Sequence, residues 1–144
     1  MIKMGLKLGT RELADECMLR QDVNPSFQSK LKGLNLKLLF VGTDCPGRED
    51  RQLAIDLEQG RFVDIEVAAK PSPSDLRTAP FDHTKYDFRV QAPHHVLVDV
   101  ISGKVDLITA IQVVKIEGNI GKLMSQAAGF IGFIDLLGSM DIEP

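Results

Sequence analysis

The sequence predicts an α+β domain in which helical segments precede and follow a five-stranded sheet. Apolar residues recur at helical spacing as far as Gly33, and five later segments alternate apolar with polar residues. A final segment, after Asn119, is apolar on most sides. The chain has 144 residues, which is the usual size of one domain.

Two helix starts are predicted in the first third of the chain. Thr10 precedes a segment in which Leu13 and Cys17 recur at helical spacing. Asn24 followed by Pro25 repeats the signal, because proline is tolerated at the first helical position. The segment is therefore predicted to be one broken helix or two short helices.

The next three elements are predicted to be strands of an antiparallel meander. Short turns at residues 44–48 and 59–60 separate them, and these turns contain Pro46, Gly47 and Gly60. An apolar face opposite a polar face is typical of a sheet that is covered on one side. The alternating apolar positions are Leu34, Leu36, Leu38 and Phe40, then Leu53, Ile55 and Leu57, then Val63, Ile65 and Val67.

A long connection separates the meander from the last two strands. It extends from Pro71 to about Lys85, and loops of more than about 12 residues are uncommon in compact domains. The elements predicted after it are a strand containing Tyr86, Phe88 and Val90, a helix from Ala92-Pro93 to Gly103, a turn capped by Asp106 that contains Ile108 and Ile111, and a strand from Val113 to Glu117.

The segment from Gly118 to Leu137 is predicted to be one helix, capped by Asn119. Its apolar stripe is wider than the ~100° that a surface helix needs, so it has to be covered on more than one side. Core packing, a dimer contact or a ligand could each provide that cover. Gly129 and Gly132 each cost up to about 1 kcal/mol relative to alanine within a helix, which indicates close backbone approach or space for a guest.

Charge and cysteine content argue against several classes of function. Seventeen basic residues face twenty acidic ones without a basic run, so nucleic-acid binding is not expected. Cys17 and Cys45 have no zinc-site spacing, and two unpaired thiols fit a cytoplasmic location. No signal-peptide core, peroxisomal address or apolar run of membrane-spanning length is seen.

The histidines are predicted to be structural. His94 and His95 are adjacent, and adjacent helical residues point about 100° apart, which does not suit a metal pair. We expect both to be solvated at a helix start. His83 follows Asp82 in the long connection, where a local hydrogen bond between them is expected rather than a catalytic dyad.

The acidic loop and the turn cysteine also have structural interpretations. Asp44, Glu49 and Asp50 lack the regular spacing of a calcium loop and are predicted to form a solvated turn. Cys45 has no histidine nearby in sequence to activate it, and Cys17 is expected to be buried as a small apolar residue. No catalytic residue, metal ligand or cofactor is therefore predicted.

The order of motifs from Tyr86 to Leu137 resembles the sterol carrier protein family. With the preceding meander, the resemblance covers roughly residues 27–137. The matching pieces are the strand Tyr86-Asp87-Phe88-Arg89-Val90, the helix from His95 to Ile101, Ser102-Gly103-Lys104-Val105-Asp106, Thr109-Ala110-Ile111, the strand Val114-Lys115-Ile116-Glu117-Gly118-Asn119 and the helix start Ile120-Gly121-Lys122-Leu123-Met124.

The resemblance implies a five-stranded, mostly antiparallel sheet with helices on one face that enclose an apolar tunnel. One domain is expected over residues 1–144, with residues 1–26 as a helical extension of a core at 27–137. The loop from Ala69 to Lys85 looks longer than in the family, so the pocket mouth is expected to differ. No peroxisomal address of the kind that some relatives carry is present.

The function implied is non-catalytic binding and transfer of a long apolar lipid, such as a fatty acid, an acyl-CoA, a sterol or an isoprenoid. The alternative is an interaction module that docks an enzyme of lipid, quinone or thioester metabolism. The chain is also expected to contact membranes transiently, or to form a homodimer or a complex with a partner enzyme. The predicted ligand-binding wall consists of Leu53, Ile55, Phe88, Val96, Val100, Leu123, Met124, Ala127, Phe130, Ile131 and Ile134.

Overall fold

The fold is a curved layer of strands packed against helices from both ends of the chain. The computed structural model describes residues 6–106, 109–110, 112–140 and 142. Its elements are helices α1 (Arg11–Val23) and α2 (Pro25–Leu31), strands β1 (Leu36–Cys45), β2 (Glu49–Glu58) and β3 (Arg61–Pro71), a 3₁₀ turn (Asp75–Arg77), strand β4 (Phe88–Pro93), helix α3 (His94–Ile101), strand β5 (Lys115–Gly118), and helices α4 (Ile120–Ser125) and α5 (Ala127–Gly138).

The five strands form one mixed sheet in the order β3-β2-β1-β4-β5. The pairs β1–β2, β2–β3 and β4–β5 are antiparallel, and the central pair β1–β4 is parallel. The predicted class, an α+β fold with a five-stranded and mostly antiparallel sheet, is confirmed. Strands β3 and β5 lie at the two edges, so the sheet is not closed into a barrel.

The N-terminal segment forms two short helices, as its two start signals predict. The Thr10 hydroxyl oxygen accepts a hydrogen bond from the backbone N–H of Leu13 at 3.4 Å, which caps α1. Asn24 is extended (φ −127°, ψ 101°) because the proline after it disfavours helical geometry at that position. Leu13 and Cys17 join the same hydrophobic core as the sheet.

In strand β3, the predicted core position Val63 is wrong. Phe62 is 1% exposed, whereas Val63, the predicted core position, is 49% exposed. The register explains this: Asp56 lies opposite Asp64 and Leu57 lies opposite Phe62, so Val63 is the extra residue of a β-bulge.

A glutamine from α1 is bonded to the bulged strand. The side-chain amide of Gln21 donates to the carbonyl of Phe62 at 2.8 Å and accepts from its N–H at 2.7 Å. A bulge changes which residue of a strand faces the core. Here Phe62 faces the core in place of the smaller Val63.

The outer face of the sheet is more covered than predicted. Leu39 and Val41 alternate with the core positions of β1, yet both are buried. The 3₁₀ turn packs over β1 and β2 and contributes the buried Leu76. The prediction that the outer face of the sheet is exposed to solvent is therefore wrong at the end of the sheet where the long connection crosses it.

The apolar C-terminal segment is two helices, and the prediction of one helix is wrong. The break is at Gln126 (φ −118°, ψ 26°), whose side chain accepts from the Asn35 N–H at 2.7 Å and donates to the Asn35 carbonyl at 3.0 Å. Asn119 caps α4 as predicted, because its side-chain oxygen accepts from the Lys122 N–H at 2.9 Å.

The glycines of α5 allow close backbone approach. A Cβ on Gly129 would lie 2.7 Å from the carbonyl oxygen of Leu31, and one on Gly138 would collide with the carbonyl oxygen of Ile101. Helix α5 therefore packs on the ends of α2 and α3 without an intervening side chain. Of the two predicted uses of the glycines, the contact supports close approach.

Smaller differences concern the last strands. Tyr86 precedes β4 rather than belonging to it, and β5 begins at Lys115. Asp106 caps the following turn by accepting from the Thr109 N–H at 2.7 Å, while Ile108 and Ile111 lie outside the described residues. Among the described residues, no helix combines the length and apolar character that a membrane span requires.

Candidate functional site

An apolar cavity of about 90 Å³ lies between the inner face of the sheet and helices α3, α4 and α5. Strands β1, β2, β4 and β5 form its floor, and the three helices form its roof. Seven residues of the predicted wall line it, namely Leu53, Val100, Leu123, Met124, Ala127, Phe130 and Ile134.

Four residues of the predicted wall lie elsewhere. Ile55 and Phe88 are buried in the hydrophobic core of the sheet and helices. Val96 packs against the core, and Ile131 points outward with 46% of its surface exposed. The residues of α5 that border the cavity are Ala127, Phe130, Ile134 and Leu137, and Ile131 is not among them.

Strand register builds the floor of the cavity. Phe40 of β1 lies opposite Leu53 of β2 on one side and Val90 of β4 on the other. Val90 in turn lies opposite Ile116 of β5. Since neighbouring strands are about 4.8 Å apart, this row extends the floor over roughly 14 Å. Phe40, Val90 and Ile116 were missed because the parallel pairing that aligns them is not visible in any one segment.

The next row along the strands contains small side chains. Gly42 of β1 lies opposite Arg51 of β2 and Ala92 of β4. A Cβ on Gly42 would lie 3.2 Å from Cys45 Sγ and 3.4 Å from a methyl carbon of Leu97. The missing side chain therefore leaves room for groups that border the cavity.

Aromatic contacts hold the roof over the floor. The Phe130 ring stacks on Phe40 with 6.4 Å between centroids and meets Phe88 edge-on at 5.8 Å. Phe133 packs 5.8 Å from Phe40 and 6.0 Å from Phe62. Because such pairs prefer these offset and edge-on geometries, they fix the height of α5 above the sheet.

The residues that border the cavity differ in exposure. Met124 of α4 borders it while 64% exposed. Five other lining residues are buried: Leu8 and Gly9 of the N-terminal segment, Cys45 and Arg51 from the sheet, and His94 from the start of α3.

The histidine pair departs from its prediction. His95 is exposed as expected, but His94 is buried and borders the cavity. It continues the inward-facing row of β4 that runs through Val90 and Ala92, since α3 starts directly at the end of that strand.

In the long connection, the Asp82 carboxylate accepts hydrogen bonds from the backbone N–H and the hydroxyl of Thr84, and the ring centroids of His83 and Phe81 are 4.7 Å apart. The expected Asp82–His83 bond is replaced by these contacts.

Both cysteines are buried thiols. Burial raises the pKa of Cys17 to about 12, and Cys17 lies beside Met140 with 3.8 Å between the sulfurs. Burial also raises the pKa of Cys45, whose thiol donates to the Gly42 carbonyl at 3.3 Å. A thiol is nucleophilic as thiolate, so these environments do not favour covalent chemistry near neutral pH.

The predicted solvated turn is an ordered ion-pair cluster. Asp50 is 0% exposed, and its carboxylate accepts from Arg77 Nε and Ser74 Oγ, each at 2.7 Å. The Arg77 guanidinium holds the pKa of Asp50 well below its usual range. The exposed Asp44 accepts from Ser72 and Arg77 at 2.7 Å, and these bonds lower its pKa.

This cluster fixes the long connection to the start of β2 and is not arranged as a metal site. Within the part of the chain that the structure describes, no three His, Cys, Asp or Glu side chains converge to hold a metal ion. The apolar cavity is therefore the candidate functional site.

Comparisons with known proteins agree on the fold. Protein-family models and curated sequences give no match. A crystal structure of sterol carrier protein 2 matches with a TM-score of 0.71 at 14% identity, over 93% of this chain and 99% of that one. A conserved hypothetical protein from Thermus thermophilus gives 0.70 at 14% identity, over 99% and 95%.

A third match is sterol carrier protein 2 from Yarrowia lipolytica in its apo form. Its TM-score is 0.53 at 14% identity, over 92% of this chain and 89% of that one. The matches extend over 92–99% of this chain. The chain has the fold of sterol carrier proteins.

Proposed function

We propose that the chain binds and transfers a long apolar lipid in this cavity and catalyses no reaction. The observation that supports the proposal is the cavity itself: an apolar space that crosses four strands, is bordered by the exposed Met124 and lies within a sterol-carrier fold. The ligand classes proposed are fatty acids, acyl-CoA, sterols and isoprenoids.

Burial of hydrocarbon supplies the affinity in this proposal. Each buried methylene contributes about 0.8 kcal/mol, so a sixteen-carbon chain gains roughly 10 kcal/mol before costs. Association and ordering then cost several kcal/mol. A dissociation constant in the micromolar range or below follows without a catalytic or metal group.

The present volume requires the roof to move when a long chain enters. A dry apolar cavity of ~150 Å³ accommodates a single benzene molecule, and the cavity here has about 90 Å³. The element best placed to move is α4, which has six residues. It is flanked by Gly118, whose φ is +117°, and by the helix break at Gln126.

Tryptophan fluorescence tests the proposal directly, because the chain contains no tryptophan. Phe130→Trp places a reporter in the cavity wall, and Phe81→Trp places one against Arg89 on the outer face. We expect hexadecanoate to shift the emission of delipidated Phe130→Trp saturably and to leave Phe81→Trp unchanged. Equal responses, or none with any of the proposed lipid classes, would refute binding in the cavity.

A protein-interaction module is the second candidate. Ile120, Met124 and Ile131 are exposed apolar side chains on the two C-terminal helices, and Met124 also borders the cavity. A homodimer or an enzyme of lipid, quinone or thioester metabolism could cover them. Light scattering distinguishes the candidates: a stable dimer that fails to bind lipid favours the interaction module.

A further inference from the structure

Strand β3 forms one edge of the sheet and pairs with β2 on its other side. Alternate residues of an edge strand direct their N–H and C=O groups away from the sheet, where another strand can bind them. Among the described residues, no hydrogen bond from outside β2 reaches the backbone of residues 64–70. This part of the edge is therefore free to pair.

Both ends of the free segment are blocked. The side chain of Gln21 occupies the N–H and the C=O of Phe62, and Val63 after it is the extra residue of the bulge. At the other end, Pro71 has no N–H to donate. The free segment therefore consists of residues 64–70, and Val67 is its centre.

A second copy of the chain presents the same segment, and twofold symmetry fixes how two copies can pair. Two antiparallel β3 strands that use the whole free segment place Val67 opposite Val67, Glu66 opposite Ala68 and Asp64 opposite Lys70. A shift by one residue is excluded, because outward-facing backbone groups would then meet groups that are already bonded to β2. A shift by two residues sets Glu66 opposite Glu66 in one direction and shortens the paired segment in the other.

A groove crosses the outer face of the sheet from β3 to β1. Its charged lining residues are Lys37, Asp56, Asp64, Glu66 and Lys85. Asp64 lies directly opposite Asp56, and like charges opposite each other in a sheet are destabilising.

The carboxylates of this groove lack a cation. Within the described part of the chain, none of the three forms an ion pair, and Asp56 Oδ1 is buried without a hydrogen bond. The three carboxylates also outnumber the two lysines of the groove. The groove therefore suits one further cation.

We propose that the chain forms a homodimer through its β3 edges, in which Lys70 of each copy lies at the groove of the other. In the register centred on Val67, Lys70 is opposite Asp64 and diagonal to Glu66, and both positions are within reach of a long side chain. Within one copy, Lys70 pairs with Asp75 at 2.8 Å, but both side chains are half exposed or more. Such a pair contributes little, so Lys70 can exchange it for the groove.

Charge reversal tests both the pairing and its register. We expect wild type to dimerise reversibly in sedimentation equilibrium at low salt, and to dissociate more readily at high salt because salt screens exposed charges. Lys70→Glu and Asp64→Lys each place like charges opposite each other, and each should weaken the dimer at least tenfold. A chain with both substitutions has opposite charges at both contacts again and should dimerise within threefold of wild type.

The matched control is Lys104→Glu, which makes the same charge change at an exposed position after α3 and should leave the dimer unchanged. Amide hydrogen exchange gives a second measurement that needs no variant. Exchange at residues 64–70 should slow as the protein concentration rises. Exchange in β5, the other edge strand, should stay constant.

Two kinds of result would overturn the proposal. One is a chain that stays monomeric at every concentration, or a dimer that the double variant does not recover. The other is a dimer whose amide protection lies on α4 and α5, which would assign the interface to the exposed apolar side chains there. Lipid binding is a separate question, because the described lining of the cavity contains no residue of β3.

Discussion

The carbonyl oxygen of Lys30 occupies the space that a Cβ atom on Gly132 would need. One turn earlier on α5, the Leu31 carbonyl stands in the same relation to Gly129. The roof of the cavity is therefore seated on α2 by backbone contact at two consecutive turns. This contact sets the depth at which Phe130 enters the cavity wall.

We expect Gly132→Ala to lower the free energy of unfolding by about 2–3 kcal/mol, because the new methyl group forces α5 away from α2. Urea denaturation followed by circular dichroism measures the change. Gly121→Ala is the matched control in α4, where a Cβ would meet only Asn119 Oδ1 at 3.4 Å. That variant should be neutral or more stable by up to about 1 kcal/mol. If Gly132→Ala and Gly121→Ala destabilise the chain equally, the contact between Gly132 and the Lys30 carbonyl is not the cause of the loss.

The Asp50–Arg77 pair predicts a loss of stability in acid. The pKa of Asp50 is lower in the folded chain than in the unfolded chain, so the unfolded chain takes up more protons as the pH falls. The contribution of Asp50 is complete above about pH 5 and declines as the pH passes below the unfolded value of about 3.9. Removing the charge should therefore matter most near neutral pH.

Asp50→Asn is expected to lower the free energy of unfolding by about 2–3 kcal/mol at pH 7 and by less at pH 3. Urea denaturation at the two pH values measures both differences. Asp15→Asn is the matched control, because Asp15 is exposed and its ion pair with Arg11 contributes at most about 1 kcal/mol. A deficit for Asp50→Asn that is the same at pH 3 and pH 7 would contradict the ion-pair explanation.

The junction between α4 and α5 should loosen when Gln126 is shortened. Gln126→Ala removes both hydrogen bonds to the backbone of Asn35, and we expect a loss of about 1–2 kcal/mol. Amide hydrogen exchange should accelerate at Asn35 more than in β2. Gln112→Ala, at an exposed turn position, should leave exchange and stability unchanged. Unaltered exchange at Asn35 in Gln126→Ala would show that other contacts hold the junction.

The parts of the fold that depend on local periodicity could be predicted from the sequence. The alternation of Leu53, Ile55 and Leu57 and the caps at Thr10 and Asn119 require only near neighbours in the chain. The same holds for much of the cavity wall, because the apolar face of α5 is visible in its composition.

The features that could not be predicted depend on partners far away in sequence. Gln126 breaks the last helix by bonding to Asn35, 91 positions earlier. Phe62 turns inward where Gln21 bonds to it, 41 positions away. Asp50 is buried because Arg77 reaches it across the long connection. In each case a polar side chain forms a hydrogen bond with a residue that is distant in sequence. The spacing of apolar residues along the chain does not predict such a bond.

Filling the cavity should separate ligand binding from folding. Ala127 borders the cavity, whereas Ala128, the next residue of α5, is exposed. We expect Ala127→Leu to occupy part of the 90 Å³ and to weaken binding of hexadecanoate at least tenfold. Its stability should be unchanged or higher by about 0.5–1 kcal/mol, because the added carbons fill existing space. Ala128→Leu adds the same atoms on the outside and should leave binding within twofold of wild type. If Ala127→Leu binds the acid as tightly as Ala128→Leu does, the ligand lies outside this cavity, and the exposed apolar surface around Met124 becomes the place to look for it.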